Sequence, residues 1–250
     1  MPLKRRADLL VVERGLAETR TRAQALIIAG DVVASGGGAG ERRVDKPGDL
    51  LRDDCELRLK GEGLRYVSRG GLKLERALDH FGIDPAGLHA LDLGASTGGF
   101  TDCLLQRGAA DVTAVDVGYG QLHEKLRQDP RVRSFERSNA RALPAELGTF
   151  DLLVADVSFI SLRLVVPGAL EHLRPGAWIV LLVKPQFEAG REWVAKGGVV
   201  KDAGARQRAV ESIEALLMEL GSQVLGHVES PLLGPAGNVE FLVAARRAVG

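Results

Sequence analysis

The sequence predicts an α/β fold, in which a mostly parallel sheet carries helices on both faces and a small α+β domain precedes it. From residue 88 onward, strand-like and helical segments alternate, which is the pattern of a parallel sheet. Residues 1–61 instead place two short helices before several short strands. We therefore expect two domains, at residues 1–61 and 70–250, joined by a linker at 62–69.

The composition is that of a chain that folds around a sizeable core, with 45% apolar residues and 33 basic against 33 acidic side chains in 250 residues. The longest apolar runs, such as 177–183, are far shorter than the ~20 residues of a membrane-spanning helix. The N-terminus lacks the apolar segment of a signal peptide, so we expect a cytoplasmic protein with no membrane partner. Cys55 and Cys103 form no Cys-x-x-Cys pair and the five histidines lie far apart, so we expect buried cysteines and no metal.

The first domain is expected to begin with a helical hairpin. Helical periodicity over 5–14 ends at Gly15, and Thr19 is placed to cap a second helix that ends at Gly30. Strand patterns follow at 31–34, 43–44 and 56–59, with a glycine-rich turn at 36–40 and a domain boundary at 61–63.

The second domain contains seven strand-like segments, most of them separated by helical ones. They cover residues 88–93, 112–117, 132–136, 150–157, 178–183, 223–229 and 239–244. The amphipathic pattern at 203–220 is typical of a helix that covers a sheet. Because ligands of such sheets bind at the carboxyl ends of the strands, functional residues are expected there.

The zero net charge conceals an asymmetry along the chain. Residues 1–76 contain 16 basic and 12 acidic residues, whereas residues 77–250 contain 17 and 21. A polyanion would therefore meet the N-terminal domain first. The alternative is an ordinary solvated surface with a few surplus arginines, and charge alone leaves both readings open.

The second helix carries a motif, Thr19-Arg20-x-x-Ala23, followed by Leu26-Ile27, Gly30 and Val32. This motif resembles that of the small RNA-binding domain named after ribosomal small-subunit protein four. The resemblance implies RNA contacts by Arg5, Arg6, Arg20 and Arg22. Where that family has an Asn-Gly turn, this chain has Ser35-Gly36, and we expect Gly36 to keep the turn.

A glycine-rich turn follows the first strand of the second domain, in Asp92-Leu93-Gly94-Ala95-Ser96-Thr97-Gly98-Gly99-Phe100. Asp116 ends the next strand and is placed to accept hydrogen bonds from ribose hydroxyls. The spacing Gly94-x-x-x-Gly98 departs from the Gly-x-Gly-x-x-Gly fingerprint of dinucleotide sites, which argues against a nicotinamide dehydrogenase. The motif resembles the first motif of S-adenosylmethionine-dependent methyltransferases, whose sheet is Rossmann-like with an antiparallel last strand.

This resemblance implies S-adenosylmethionine as the cofactor and a site drawn from four parts of the chain. The implied residues are Gly94, Ala95, Ser96, Thr97, Gly98, Gly99 and Phe100 around the methionine part, Asp116 at the ribose, Asn139 and Ala140 at the adenine, and Asp156.

Two charged residues end the fourth and fifth strands, on the same edge of the sheet as the turn. They are Asp156 and Lys184. A lysine after a buried strand either snorkels to the surface or has a task, and spacing alone leaves both open. With Lys73 and Glu240, however, they resemble in order and context the Lys-Asp-Lys-Glu tetrad of FtsJ-type ribose 2′-O-methyltransferases.

The chemistry gives each member of this tetrad a role. A ribose hydroxyl is a poor nucleophile at neutral pH, so an ammonium that favours its alkoxide helps attack on a sulfonium methyl. We assign that role to Lys184, with Asp156 orienting it. Lys73 and Glu240 then position the ribose.

Taken together, the motifs of both domains resemble the TlyA family, also called haemolysin A, over nearly the whole chain. The resemblance implies 2′-O-methylation of cytidine in 16S and/or 23S ribosomal RNA, with ribosomal RNA or ribosomal subunits as partners. It also implies RNA contacts by Arg65 and Arg69. The linker departs from the family's Arg-x-Trp-Val-Ser-Arg at two positions, which hold Leu64 and Tyr66 here.

Several alternatives remain at this stage. The alternative role of Asp92 is only to cap or orient the turn, and that of Glu240 is to pair with a neighbouring arginine on an edge strand. Phe159 is interpreted as a core residue in preference to a base-stacking platform. A base-amine methyltransferase would have two prolines after Asp156, where Val157 and Ser158 stand. A noncatalytic RNA-binding assembly factor and a cytolysin are the other candidates, and the second would need a large exposed apolar surface.

Overall fold

The computed structural model describes residues 4–36, 39–59, 65–234 and 236–249. It divides the chain into two compact units, Met1–Arg65 and Tyr66–Gly250. The expected boundary at 61–63, Leu64 and the middle of the turn at 36–40 lie outside the described residues. Residues 66–69, which the sequence assigned to the linker, belong to the second unit, because Tyr66 and Val67 are buried in its core.

The first unit packs two helices against two small sheets. Its elements are β1 (Lys4–Arg6), α1 (Ala7–Glu13), α2 (Arg20–Ala29), β2 (Val32–Gly36), β3 (Ala39–Arg43), β4 (Leu50–Arg52) and β5 (Glu56–Leu59). β2 is the central strand of an antiparallel β3-β2-β5 sheet, and β1 pairs antiparallel with β4. The prediction of a helix from residue 5 was wrong, since Arg5 and Arg6 pair with Leu51 and Leu50 as strand residues.

The second helix follows its sequence signals. Thr19 Oγ1 accepts a hydrogen bond from the backbone N–H of Arg22, and Gly30 ends α2 with φ +79°. The apolar faces of α1 and α2, including Leu10, Leu26 and Ile27, meet in the core of this unit. Cys55 and Cys103 are both buried, as predicted, and neither is part of a disulfide.

The second unit is built on a seven-stranded sheet. Its strands are β6 (His89–Leu93), β7 (Asp111–Val115), β8 (Val132–Phe135), β9 (Phe150–Ala155), β10 (Leu173–Val183), β11 (Ser222–Glu229) and β12 (Phe241–Arg247). They are ordered β11-β12-β10-β9-β6-β7-β8, and only β12 runs against the others. The predicted mostly parallel sheet with an antiparallel last strand is confirmed.

Helices cover both faces of this sheet. They are α3 (Gly70–Phe81), α4 (Gly99–Gln106), α5 (Glu124–Arg127), α6 (Val166–Leu170), α7 (Pro185–Glu188) and α8 (Ala203–Glu219). Because successive strand residues point to opposite faces, Ala90 of β6 packs with α3 and α4, whereas Leu91 packs with α8.

The register brings four strand ends to one edge of the sheet. Leu93 of β6 and Leu181 of β10 both pair with Ala155 of β9, and Val183 of β10 pairs with Phe241 of β12. The residues immediately beyond these pairs therefore emerge side by side.

Candidate active site

The glycine turn after β6 adopts a backbone that requires small residues. Gly94 and Gly98 have φ of +80° and +97°, and Ser96 between them has φ +48°. A Cβ atom at Gly94 would lie 2.6 Å from the carbonyl oxygen of Asp156. Glycine at this position therefore lets the turn pack directly against the end of β9.

Asp116, at the end of β7, is held by two backbone groups. Its Oδ2 accepts a hydrogen bond from Ser96 N at 2.8 Å and its Oδ1 accepts one from Gly118 N at 2.7 Å. Each carboxylate oxygen has a second lone pair. Asp116 thus joins the turn to the next strand and retains acceptor capacity for a ligand hydroxyl.

The segment after β8 folds back onto the same loop. Ser138 N donates to Asp116 O and Arg137 N donates to Gly118 O, both at 3.0 Å. Asn139, expected at the adenine, is exposed and its Oδ1 accepts from Arg141 N at 3.0 Å, while Ala140 is partly buried.

Sequence reasoning missed two exposed apolar residues in this region, Val117 and Tyr119. The Arg137 guanidinium lies 4.4 Å from the centre of the Tyr119 ring. Val117 and Tyr119 lie one and three residues after Asp116, and that position was the available signal.

Carboxylates dominate the surroundings of the turn. Asp92 is fully buried and its Oδ2 accepts a hydrogen bond from Thr101 Oγ1 at 2.7 Å. Burial, together with the charges of Asp156 and Asp116, raises the pKa of Asp92 to about 7, although the hydrogen bond from Thr101 acts in the opposite direction. An acidic environment of this kind suits a cationic ligand and disfavours a diphosphate.

Lys184 lies directly after β10 and is 8% exposed. Its Nζ is 2.6 Å from Asp156 Oδ1 and donates to Ser158 Oγ at 2.7 Å. Of the two readings that spacing left open, surface snorkelling is therefore wrong for this lysine, because its ammonium is buried and held by two partners. Sequence reasoning missed Ser158 as a partner of Lys184, although it stands only two residues after Asp156.

Lys73 and Glu240 form the second buried ion pair of this edge. Lys73 Nζ donates to Glu240 Oε2 at 2.5 Å, and Glu240 is fully buried. Glu240 Oε1 has no hydrogen-bond partner among the described residues. Because Glu240 immediately precedes the Phe241–Val183 pair, it emerges beside Lys184.

The elements around Glu240 are closely packed. A Cβ atom at Gly234 would lie 2.3 Å from Glu240 Oε1. Asn238 is also buried, donating to Gly198 O at 2.8 Å and accepting from Val200 N at 2.9 Å. The loop before β12 is therefore fixed on both sides of the carboxylate.

The interpretation of Phe159 as a core residue was wrong. Its side chain is 91% exposed and its backbone has φ +64°, which is a strained conformation for a residue with a Cβ. The ring lies 5.5 Å from that of Phe187, centre to centre, with the planes tilted by 54°. Phe159 lies in the loop after β9 and Phe187 lies in α7, both at the edge that carries Lys184.

The arginines expected to contact RNA have different surroundings. In the first unit, Arg5 donates to Glu13, Arg6 and Arg20 both donate to Asp8, and Arg22 is half-buried. Arg65 is exposed, and Arg69 is half-buried at the start of α3. Tyr66, which replaces the family's tryptophan, is buried and donates through its hydroxyl to Glu75 Oε1 at 2.9 Å.

Two features of the described residues bear on the expectations of no metal and no membrane partner. Among the described residues, no group of three or more His, Cys, Asp or Glu side chains is arranged to hold a metal ion. Within the same part of the chain, no helix combines the length and apolar character required to cross a bilayer.

The strand order, the glycine turn after β6 and the acidic residue after β7 define a methyltransferase domain of the Rossmann-like class. The FtsJ-like methyltransferase family model matches residues 66–247. The chain belongs to this family and, by its full-length relatives, to the TlyA or haemolysin A branch.

Three of these relatives span nearly the whole chain. The 16S/23S rRNA (cytidine-2′-O)-methyltransferase TlyA of Mycobacterium tuberculosis is 47% identical over 98% of this chain and 91% of its own. YqxC of Bacillus subtilis, described as a candidate rRNA methyltransferase, is 49% identical over 96% and 85%. A solved structure of a candidate haemolysin from Streptococcus thermophilus has a TM-score of 0.76 at 47% identity and covers 99% of this chain and 90% of its own.

Proposed function

We propose that this protein transfers a methyl group from S-adenosylmethionine to the ribose 2′-hydroxyl of cytidine in 16S and/or 23S ribosomal RNA. The observation that carries the proposal is the pair of buried ion pairs, Lys184–Asp156 and Lys73–Glu240, at the edge of the sheet beside the glycine turn. The names of the M. tuberculosis relative and of a Campylobacter jejuni relative, a 23S rRNA (cytidine-2′-O)-methyltransferase, support this substrate. Such a substrate also agrees with the expected cytoplasmic location.

The residues of the turn fit the proposed cofactor. S-adenosylmethionine, when bound, supplies a methyl group on a positively charged sulfur. The Asp116 carboxylate contacts the turn directly, and a negative charge there suits a ligand that carries a sulfonium and an ammonium. Gly94 to Phe100 would hold the methionine part, Asp116 the ribose, and Asn139 and Ala140 would border the adenine.

Lys184 is the residue we assign to the nucleophile. Its ammonium is buried and held between Asp156 and Ser158, so its direction is fixed before the substrate arrives. A fixed positive charge here would stabilise the negative charge that develops on the ribose oxygen as its proton passes to solvent water. That oxygen would then accept the methyl group that the bound cofactor supplies.

Lys73 and Glu240 are assigned to positioning the ribose. Glu240 is fully buried and holds the Lys73 ammonium through Oε2. The Lys73 side chain is 11% exposed, so Lys73 is the member of the pair that would contact the sugar. Glu240 would therefore orient the substrate through Lys73, from a rigid support.

Phe159 and Phe187 offer an aromatic surface for the base of the target nucleotide. Exposed aromatic rings are unfavourable in water and are typical of platforms on which an unstacked base rests. A sugar hydroxyl inside a packed helix is hard to align with a methyl donor, so a single-stranded or flipped-out cytidine is the expected target.

The alternative functions fit less well. A base-amine methyltransferase has no use for a lysine–glutamate pair at this edge, and a vestigial fold would not be expected to retain two buried ion pairs, which are costly to keep. A cytolysin would need an apolar face for membranes, whereas the exposed apolar side chains at this edge flank the glycine turn and Lys184.

The test is methyl transfer to unmodified ribosomal subunits with methyl-labelled cofactor. We expect the wild type to label the RNA of at least one subunit. Lys184→Ala should lose at least about a hundredfold in kcat, because it removes the charge that stabilises the transition state. It should bind the cofactor as the wild type does in calorimetry, and near-normal turnover would remove Lys184 from the mechanism.

A further inference from the structure

The first unit contains a buried carboxylate that the proposed chemistry does not use. Asp8, on α1, is fully buried, yet it receives hydrogen bonds from three side chains. Arg6 donates through Nε and Nη2 at 2.9 and 3.0 Å, Arg20 through Nε at 2.9 Å and Gln24 through Nε2 at 2.9 Å. These donors hold the pKa of Asp8 well below its usual range, against the effect of burial.

The two arginines come from different elements and meet only at this carboxylate. Arg6 ends β1, whereas Arg20 begins α2, with Gln24 one turn further along the same helix face. Both arginine side chains stay about half exposed, at 43% and 53%. Asp8 therefore fixes the inner edges of two guanidinium groups whose outer edges face solvent.

Charge and donor capacity indicate what these outer edges bind. A guanidinium has five N–H groups, and Arg20 donates only one of them to Asp8. Two arginines and one carboxylate leave a net positive charge. The neighbouring Arg5 differs, because Nη1 and Nη2 both face the Glu13 carboxylate and that pair is neutral.

We propose that Asp8 assembles Arg6 and Arg20 into a single binding site for a phosphate of the RNA backbone. This inference rests on the proposed function, since it assigns part of the contact with ribosomal RNA. Asp8 acts as a positioning residue. It fixes the orientation of two planar guanidinium groups that bind phosphate, and it does not itself touch the ligand.

The sign of the effect of Asp8→Asn separates positioning from simple charge. If Asp8 were only a negative charge near the RNA, its removal would tighten binding. If it positions the arginines, the asparagine presents an amide N–H to a guanidinium and breaks the paired bonds to Arg6. We then expect binding to ribosomal subunits at moderate salt to weaken about tenfold and the salt dependence to fall by about one phosphate contact.

Glu13→Gln is the matched control, since it also removes a carboxylate from an arginine of this unit. It should bind subunits as tightly as the wild type or more tightly. In methyl transfer, Asp8→Asn should raise KM for the subunit and leave kcat at saturating RNA and cofactor affinity unchanged. A purely structural role of Asp8 would not raise KM for the subunit while leaving kcat and cofactor affinity unchanged.

Equal or tighter binding by Asp8→Asn, with the wild type bound normally, overturns the inference and leaves the proposed function standing. Failure of the wild type to bind subunits overturns both. If Asp8→Asn does not fold, a cycle of Arg6→Ala, Arg20→Ala and the double variant decides the matter. One shared site requires the double variant to lose less affinity than the sum of the single losses, and strict additivity refutes it.

Discussion

Replacing Glu240 by leucine should destabilise the second unit strongly, because it leaves the Lys73 ammonium buried without a counter-charge. Glu240 is fully buried and the Lys73 side chain is only 11% exposed, so water cannot take over the lost hydrogen bond without local rearrangement. Removing one partner of such a pair costs about 3–5 kcal/mol. For a unit of this size that cost corresponds to a fall in Tm of about 6–20 °C.

The double variant Lys73→Met/Glu240→Leu isolates the cause. With both charges replaced by apolar groups of similar size, stability should return to within about 1.5 kcal/mol of the wild type. Methyl transfer should remain lost in both variants, because neither can position the ribose. Scanning calorimetry of the cofactor-free proteins measures the stabilities. A single variant as stable as the wild type, or a double variant no better than the single, would refute the buried ion pair.

Three further perturbations have definite expected outcomes. Gly234→Ala should displace the Glu240 carboxylate and lower kcat at least about tenfold. Gly168→Ala, in α6, would place a Cβ atom in ordinary contact with Arg141 O at 3.9 Å, so it should leave turnover unchanged and raise stability by up to about 1 kcal/mol; equal turnover in the two variants would contradict this. In denaturant titrations, the free energy of unfolding of Asp92→Asn, relative to that of the wild type, should rise by about 3 kcal/mol as the pH is raised from 5 to 8. Asp92 has lost its proton by pH 5 in the unfolded chain but keeps it until about pH 7 in the folded protein, so the wild type loses stability as the pH rises through that window. A difference in the free energy of unfolding between the two proteins that stays constant with pH would contradict the raised pKa. Phe159→Ala should raise KM for the subunit several-fold and leave cofactor binding unchanged, because an exposed ring supports no core; a loss of Tm without a change in KM would show a structural role instead.

The sheet and the edge on which the candidate site lies could be predicted because local patterns determine them. Alternating strands and helices require a parallel sheet, and residues that follow its strands must meet at one edge. Asp156 and Lys184 were found in this way, and the structure places them 2.6 Å apart. Lys73 and Glu240 lie 167 positions apart in the chain, and only a resemblance could relate them before the fold was known.

Other features depend on partners that no local pattern reveals. Arg5 and Arg6 look helical by periodicity but become a strand because β4, some 45 residues later, supplies its hydrogen bonds. Phe159 follows an apolar strand and reads as core, yet a positive φ turns its ring into solvent. Asp8 is buried because arginines from two other elements converge on it, whereas an acidic residue in a charged N-terminal helix reads as solvated.

The most direct test of the account is the position of the methyl group in the product. Unmodified ribosomal subunits are incubated with the protein and methyl-labelled S-adenosylmethionine, and the RNA is digested to nucleosides and separated. The label is expected on the ribose of cytidine, as 2′-O-methylcytidine. Label on a base would contradict the assignment of Lys73, Asp156, Lys184 and Glu240, and no label despite measured cofactor binding would contradict ribosomal RNA as the substrate.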